Sequence, residues 1–458
     1  MATSTYLQNS HTGTGSSTGE KATMSVWVKR TDPSGDSRST IIGARTDDNN
    51  YMKIRFADND RLMVYGTKAG STNIDIQTNA EFRDVFGWYH IVLQLDTTNA
   101  TETERIKWYV NGELQTIRST DKQYPSQNDV NHLISASDIN IGCNALGSPN
   151  EHFDGTMSHF HLIDGTIYAP TVFGSTDSTT GEWKINTSPS VTYGSKGFFI
   201  LKDGNSVTDQ SGNSNNFTVG AGTLTKTEDC PSNVFCTMSP LSPQTYTFSN
   251  GNNTIYRAGS TGQSTALATL APSSGKWYWE IKLNSGQSDY PRIGIYEMNS
   301  DNHTYTNYLG QQGGGTGKWW GSGTSQTGII GNGTDSSTAF FSYSNGDILM
   351  FAMDNDNGKL WLGKNGTWYT NDNSTTTTGT AIGNNTATPA FSNVTVGKNW
   401  TPAVFGNASG ETWQCNFGNG YIGTSQVASA GTNASGIGIF EYDVPPNFTA
   451  LSTKGLNL

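Results

Sequence analysis

The chain has 458 residues, a formal net charge of −11 and a charged fraction of 14%, well below the roughly 25% of typical soluble domains. The acidic balance excludes a general nucleic-acid binder, which needs basic surface to neutralise phosphates, and the aromatic fraction of 11% excludes a disordered chain. No run of about 18 apolar residues predicts a membrane-spanning helix, and at about 100–200 residues per domain the length predicts two or three domains.

Strand and turn signals dominate the first half of the sequence. Met24, Val26 and Val28 recur with a period of two, which is typical of a half-buried β-strand. Residues 58–60 (DND) lie between two apolar runs and predict a wide turn, because Asp and Asn side chains bond the local backbone. Residues 111–112 are Asn-Gly, a strong hairpin signal, since both residues accept a positive φ.

The second half repeats this organisation. Residues 276–283 (KWYWEIKL) place apolar side chains at 277, 279, 281 and 283 and charged ones at 276, 280 and 282, which predicts another half-buried strand. Residues 354–358 (DNDNG) form an acidic turn, and a tryptophan-containing strand then leads into Asn-Gly at 365–366. The first half has the same order of acidic turn, tryptophan strand and Asn-Gly. This likeness is too loose to be a sequence repeat, but it predicts two copies of one architecture.

The predicted domain boundaries follow from a stretch without a sustained apolar pattern. Turn-forming residues cluster between positions 203 and 243, which is typical of a connection between domains. Many short strands separated by turns predict an all-β chain of two tandem antiparallel β-sandwiches. We place the first β-sandwich at 1–203, a polar linker at 204–240 and the second β-sandwich at 241–458.

Each predicted domain resembles a known module. Four segments of the first domain are similar to the laminin-G-like, concanavalin-A-type lectin/glucanase module: 23–30 (TMSVWVKR), 87–93 (GWYHIVL), 108–112 (WYVNG) and 153–157 (FDGTM). Four segments of the second domain resemble a SPRY module: 275–280 (GKWYWE), 292–295 (RIGI), 346–354 (GDILMFAMD) and 358–368 (GKLWLGKNGTW). The resemblance implies two concanavalin-A-like jelly rolls whose binding surfaces lie in loops.

Further segments resemble structural proteins of tailed bacteriophages, particularly marine, cyanophage-like ones. These segments are 5–7 (TYL), 160–165 (FHLIDG), 209–217 (DQSGNSNNF) and 444–451 (VPPNFTAL). The resemblance implies a virion surface protein made in the cytoplasm of a host bacterium. We expect a tail-fibre or receptor-binding adhesin that recognises a host surface glycan or protein. The alternative is a capsid fibre, a capsid decoration or a tail-assembly subunit that binds only other virion structural proteins.

The expected partners follow from this interpretation. They are other virion proteins and a host glycan or surface protein, with no nucleic acid and no membrane insertion. We also expect a homo-oligomer on the particle, because multiple copies raise the avidity of a weak single site.

Candidate catalytic carboxylates do not form a convincing pair. Glycoside hydrolysis usually needs two carboxyl groups flanking the scissile bond. Glu102 and Glu104 have i, i+2 spacing, but they lie in a polar loop and are interpreted as solvated loop charges. We therefore expect a protein that is not an enzyme.

Two histidines are candidate ligands for a metal site. His159 and His161 are two residues apart on a predicted strand, so both imidazoles project from one face, and His152 or Asp154 is a candidate third ligand. The alternative is a strand whose outer face tolerates histidine. We expect no cofactor. Calcium in the loops of the first domain stays open, since laminin-G-like modules sometimes bind it.

Trp319 and Trp320 are the candidate ligand-binding residues. They follow a glycine-rich run at 310–318, which is interpreted as a flexible loop that displays them. Neighbouring side chains on a strand face opposite ways, so we expect one indole in the core and the other exposed. An exposed indole would stack on a sugar or anchor a protein contact; the alternative is packing.

Overall fold

The computed structural model describes residues 5–10, 18–31, 38–120, 122–202, 207–241, 246–259, 264–286, 291–298, 309, 317–323, 326–332, 336–372, 374–406 and 408–457. The chain divides into two compact units, Met1–Lys226 and Thr227–Leu458, which we term unit 1 and unit 2. Both are built almost entirely of antiparallel strands, which confirms the predicted all-β fold class. None of the described helices is long and apolar enough to cross a membrane.

Unit 1 consists of two large sheets and a small hairpin. Its strands are β1 (Tyr6–Ser10), β2 (Lys21–Arg30), β3 (Ser39–Asp47), β4 (Asn50–Phe56), β5 (Arg61–Lys68), β6 (Ser71–Glu81), β7 (Tyr89–Asp96), β8 (Ile106–Val110), β9 (Glu113–Leu114), β10 (Asp138–Ile141), β11 (Gly155–Asp164), β12 (Gly174–Thr176), β13 (Trp183–Ile185), β14 (Phe198–Ile200) and β15 (Thr218–Ala221), with a short helix α1 (His132–Ser135). The described strands form a seven-stranded sheet, β15-β1-β10-β3-β4-β5-β6, a six-stranded sheet, β14-β11-β2-β7-β8-β9, and the pair β12-β13.

The two large sheets of unit 1 enclose one apolar core. Met24, Val26 and Val28 point into it from β2, as their spacing predicts, and Ile54 and Val64 point into it from the opposite sheet. Apolar side chains at every second position are therefore removed from water, which is the main favourable term in folding.

Unit 2 also pairs two sheets. Its strands are β16 (Tyr246–Ser249), β17 (Thr254–Arg257), β18 (Ser264–Leu267), β19 (Lys276–Ser285), β20 (Arg292–Glu297), β21 (Lys318–Gly323), β22 (Gln326–Asn332), β23 (Ser336–Ala339), β24 (Ile348–Asp354), β25 (Lys359–Lys364), β26 (Thr367–Tyr369), β27 (Thr376–Thr377), β28 (Trp400–Gly406), β29 (Thr412–Asn416), β30 (Tyr421–Ile422), β31 (Ser425–Gln426) and β32 (Thr449–Ala450), with a short helix α2 (Gly379–Gly383). The described part contains a nine-stranded sheet, β16-β17-β29-β19-β24-β25-β26-β27 with β32 beside β19, a six-stranded sheet, β18-β28-β20-β21-β22-β23, and the pair β30-β31.

The core of unit 2 lies between its two large sheets, with a third layer outside the nine-stranded sheet. Trp277 and Trp279 of β19 point into the core. Tyr278 points the other way and packs against Phe440 of the C-terminal part of the chain, in a cluster that also contains Phe448. The strand is therefore buried on both faces, whereas its sequence pattern predicts only one buried face.

The described residues of the predicted linker at 204–240 belong to the two units. β15 pairs with β1 in the seven-stranded sheet, and Phe217 lies in the core of unit 1. Asp209 accepts hydrogen bonds from the backbone N–H groups of Phe199 and Ser211 (2.8 and 2.9 Å), which attaches this segment to β14. Cys236 lies in the core of unit 2. The boundary between the units lies between Lys226 and Thr227. Both cores include apolar residues of the segment predicted to be a polar linker.

The two predicted Asn-Gly hairpins have the same geometry. Asn111 and Asn365 both have a φ of 49°, and each occupies a two-residue turn that follows a tryptophan strand. The Asn111 side-chain oxygen accepts a hydrogen bond from the His90 N–H (2.8 Å), and that of Asn365 accepts one from the Ile348 N–H (2.9 Å). The similar order of signals in the two halves therefore corresponds, at these positions, to two hairpins with the same turn geometry.

Replacing Asn111 tests this hairpin. Asn111→Ala is expected to lower the free energy of unfolding by about 2 kcal/mol, because it removes one hydrogen bond and places alanine in a left-handed conformation. Asn111→Asp is the control, since Asp keeps an acceptor oxygen and tolerates positive φ. Guanidinium unfolding of the full chain, with hydrogen exchange of peptides from β7 and β8, measures both variants. Equal stability of the two variants would contradict the assigned role.

Candidate functional site

The two tryptophans predicted to bind a ligand lie on β21, and both are buried. Trp320 is fully buried in the core of unit 2, where its indole N–H donates to the Phe341 carbonyl oxygen (2.7 Å). Trp319 points to the opposite face, as strand alternation predicts, but only 5% of its surface is exposed. The expectation of one exposed indole is therefore wrong. Residues 310–316 of the preceding glycine-rich run lie outside the described residues.

Trp319 is buried for a local reason. The Arg292 guanidinium carbon stands 4.1 Å from the centre of its ring, a stabilising arrangement of a cation over an indole. The ring also lies against Gly331, where a Cβ would stand 2.1 Å from an indole carbon. Its cluster includes further buried apolar side chains: Tyr296, Leu309 and Phe405. The ring thus packs within unit 2 and presents no stacking surface.

His159 and His161, the candidate metal ligands, lie at a bulge of β11, where the register with β2 shifts. Both imidazoles contact the Phe199 ring, with centroid distances of 5.9 and 3.9 Å, so they share a face. The His161 Nδ1 is 2.9 Å from the Tyr193 hydroxyl oxygen, and burial holds the pKa of His161 well below its ordinary value. Among the described residues, no three His, Cys, Asp or Glu side chains are grouped to hold a metal ion.

The outer face of the six-stranded sheet in unit 1 is covered by residues 166–193, which we term the cover segment. Trp183 of this segment donates its indole N–H to His90 Nδ1 (2.9 Å). Because an indole nitrogen only donates, the His90 proton lies on Nε2, which donates to the Ser25 hydroxyl oxygen (2.9 Å). Burial lowers the pKa of His90 to about 3. This neutral ring cannot accept the Ser25 proton, so the two residues do not form a nucleophile–base pair.

A buried carboxylate, Glu280, lies in the middle of β19 on the face that the sequence pattern predicts to be exposed. It is fully buried, and burial raises its pKa to about 7. Its oxygens accept hydrogen bonds from the backbone N–H groups of Glu441 and Tyr442 (2.9 and 2.8 Å), the Tyr278 hydroxyl (2.8 Å) and the Asn416 amide (3.2 Å). Two of these four donors are backbone groups of the C-terminal part of the chain. Glu280 therefore attaches that part to the sheet.

An open polar cleft lies on the outer face of the seven-stranded sheet, and we term it the β1–β10 cleft. Its volume is about 320 Å³. Adjacent strands supply its floor in two cross-strand rows, one of Gln8 and Asn140, the other of Ser10, Asp138 and Arg45. Residues 142–151, the first part of the loop between β10 and β11, form one wall and are termed the wall loop. The floor therefore presents amide, hydroxyl, carboxylate and guanidinium groups from rigid strands.

The wall loop is held firmly on the sheet. Its last residue, Glu151, accepts hydrogen bonds from Lys53 Nζ (3.0 and 3.1 Å) and Arg55 Nη1 (2.8 Å), and both cations are buried. Gly43 of β3 lies beneath the loop, where a Cβ would stand 2.5 Å from the Ala145 backbone nitrogen. A wall fixed in this way reduces the ordering cost of binding a ligand.

Tyr6 supplies the aromatic surface of the cleft. Its ring lies against Gly220 of β15, where a Cβ would stand 2.2 Å from a ring carbon, and the His152 ring lies beside it at 6.1 Å. Burial lowers the pKa of His152, so this imidazole is neutral at pH 7. None of the cleft-lining residues is identified by the sequence analysis; the only local signal is the alternation of Tyr6, Gln8 and Ser10 along β1.

Comparison with known proteins assigns a fold to the part of the chain that forms most of the cleft. A family model described as the concanavalin A-like lectin/glucanases superfamily matches residues 2–173. No curated protein matches the chain.

Similar solved structures cover smaller parts of the chain. The SPRY domain of human HERC1 is 18% identical over 39% of this chain and 96% of that chain, with a TM-score of 0.29. The PSpry domain of TRIM65 is 14% identical over 40% of this chain and 91% of that chain, with a TM-score of 0.28. A native heptameric SAP-like pentraxin from Limulus polyphemus is 15% identical over 36% of this chain and 71% of that chain, with a TM-score of 0.27.

Glu280→Gln tests the anchoring role of the buried carboxylate. The substitution is expected to lower the free energy of unfolding by about 1–3 kcal/mol near pH 7.5, because the amide NH₂ would face hydrogen-bond donors. Folding raises the pKa of Glu280 from 4.5 to about 7, so the native state binds the proton more tightly. The contribution of Glu280 to stability therefore decreases as pH rises through this window.

Guanidinium unfolding of the full chain between pH 4.5 and 7.5, followed by tryptophan fluorescence, measures this dependence. In the Glu280→Gln variant, the free energy of unfolding should depend less steeply on pH, because residue 280 no longer titrates. Glu441→Gln is the control, because it changes the charge of a residue that meets Glu280 through its backbone. An unchanged slope in Glu280→Gln would show that the carboxylate is not the titrating group.

Proposed function

We propose that this protein is a non-enzymatic adhesin that binds a surface carbohydrate in the β1–β10 cleft of unit 1. The observation that carries the proposal is the lining of the cleft, which combines the two-way hydrogen-bonding groups of Gln8 and Ser10 with the ring of Tyr6. Sugars match this lining, because their hydroxyl groups both donate and accept and their C–H faces pack on aromatic rings. The concanavalin A-like match over residues 2–173 supports the proposal.

The polar groups of unit 1 favour binding over catalysis. Among the described residues that line the cleft, Asp138 is the only carboxylate, whereas glycoside hydrolysis usually employs two. Ser25 and His90 lie under the cover segment in a proton arrangement that cannot activate a nucleophile. These observations support a site that holds a ligand without transforming it.

The proposed setting is the surface of a phage virion. Support comes from the resemblance of residues 5–7, 160–165, 209–217 and 444–451 to structural proteins of tailed bacteriophages. We expect a single cleft of about 320 Å³ to bind weakly, so a virion adhesin would present several copies and gain by avidity. A capsid decoration or tail-assembly subunit that binds only virion proteins is the competing assignment.

Gln8→Ala tests the carbohydrate site. The full chain, displayed at high density on beads, is expected to bind host bacterial cells and immobilised host polysaccharide. The substitution should weaken both by about twofold to thirteenfold, the effect of one lost hydrogen bond of about 0.5–1.5 kcal/mol. Gln77→Ala is the matched control, since Gln77 lies on β6, five strands from β1 in the same sheet, and should leave binding unchanged.

Competition with phage adsorption distinguishes the two virion assignments. Soluble protein is expected to reduce adsorption of the parent phage to its host, and Gln8→Ala to reduce it less. Binding to purified virions without any binding to host cells or polysaccharide would instead support the decoration assignment. Release of new reducing ends from the polysaccharide would contradict the non-enzymatic assignment.

A further inference from the structure

The floor of the β1–β10 cleft contains one opposite-charge pair. Arg45 of β3 and Asp138 of β10 are cross-strand neighbours, and Arg45 Nη2 stands 3.6 Å from Asp138 Oδ2. The two side chains are 24% and 42% exposed, so both remain accessible from the cleft. Arg45 also contacts Asp48 (Nη1 to Oδ1, 3.0 Å), which is 74% exposed and lies outside the cleft lining.

A hydroxyl group is the chemical group that suits both members of this pair. A guanidinium only donates hydrogen bonds and a carboxylate only accepts them, whereas a hydroxyl donates one and accepts others. Neighbouring hydroxyls of a sugar can therefore accept from Arg45 and donate to Asp138 at the same time. A ligand carboxylate would satisfy Arg45 but repel Asp138, and a ligand ammonium would do the reverse.

The charges around the cleft disfavour anionic ligands. Arg45 contributes one positive charge, while Asp138 and Asp48 contribute one negative charge each. Glu151, at the end of the wall loop, pairs with Lys53, Arg55 and Arg38, and none of these four residues lines the cleft. The His152 imidazole beside Tyr6 is neutral, because burial lowers its pKa. The charged residues of the lining are Arg45 and Asp138, whose charges cancel, so the lining lacks the surplus of cations that recognition of an acidic sugar requires.

We propose that the β1–β10 cleft selects uncharged sugars, held by hydroxyl groups between Arg45 and Asp138 and by the ring of Tyr6, and rejects uronic acids and amino sugars. This inference rests on the proposed carbohydrate-binding function and names its ligand class. Selectivity of this kind comes from the unfavourable contact made with the wrong ligand as much as from the contacts made with the right one.

Affinity electrophoresis of the full chain tests the selectivity. The probes are the neutral polysaccharides dextran, mannan and agarose, the acidic polysaccharides alginate and polygalacturonate, and the cationic polysaccharide chitosan. At least one neutral polysaccharide is expected to retard the protein at a concentration tenfold or more below any charged one. Gln8→Ala should weaken that retardation about threefold or more, which attributes it to the cleft.

Asp138→Asn is the decisive variant. It removes the carboxylate charge and keeps the shape, so retardation by alginate should strengthen at least fivefold while retardation by the neutral polysaccharide weakens about threefold. Asp58→Asn is the matched control, because Asp58 is 59% exposed in the β4–β5 turn, lies outside the cleft lining and changes the net charge equally. Circular dichroism confirms that each variant remains folded.

The possible outcomes distinguish a failure of the selectivity for uncharged sugars from a failure of carbohydrate binding itself. Retardation by alginate or chitosan as strong as that by every neutral probe would overturn the selectivity while leaving carbohydrate binding in place. Selectivity that Asp58→Asn alters as much as Asp138→Asn would also overturn it, since bulk charge would then be the cause. Failure of every polysaccharide to retard the protein would overturn the proposed function, and the inference with it.

Discussion

The central strands of both units are buried on two faces, and this constraint decides where a ligand can bind. In unit 1, Val26 of β2 points into the sandwich core. The next residue, Trp27, points to the other face and stacks on His90 beneath the cover segment. In unit 2, Trp279 of β19 points into the core while Tyr278 packs under Phe440. Large apolar side chains on the second face are stabilised by burial. The sheets that contain β2 and β19 are therefore each covered by a further layer of the chain. The polar cleft lies instead on the seven-stranded sheet.

The covering layers are attached by buried polar side chains that resemble catalytic groups in isolation. His90, with Trp183 on one nitrogen and Ser25 on the other, attaches the cover segment. Glu280 performs the same task for the C-terminal part of unit 2 through backbone N–H groups. A buried polar group is costly unless it is hydrogen-bonded, and here the partners are supplied by the chain itself. The shifted pKa values of His90 and Glu280 are therefore a consequence of burial in a structural role.

The features that sequence reasoning predicts correctly are local ones. The alternation of Met24, Val26 and Val28 identifies the inward face of β2, and the two Asn-Gly pairs identify hairpins whose turns have positive φ. Each depends on residues within one strand or turn, where side-chain period and backbone preference act directly. The same alternation places Trp319 and Trp320 on opposite faces correctly, but it assigns the wrong exposure to Trp319, because Phe405 and Arg292 from other strands cover it.

The amino-acid sequence by itself determined the all-β class and the antiparallel Asn-Gly hairpins, since these follow from the spacing of apolar residues and from turn chemistry. Only the tertiary structure decided which faces are covered and where the cleft lies. Tyr6, Arg45, Asp138 and Gly220 come together through the strand order β15-β1-β10-β3, although more than 200 residues separate the first from the last. The pairing of distant strands leaves no periodic signal in the chain, because strand alternation records the face of a side chain and not the neighbours it meets.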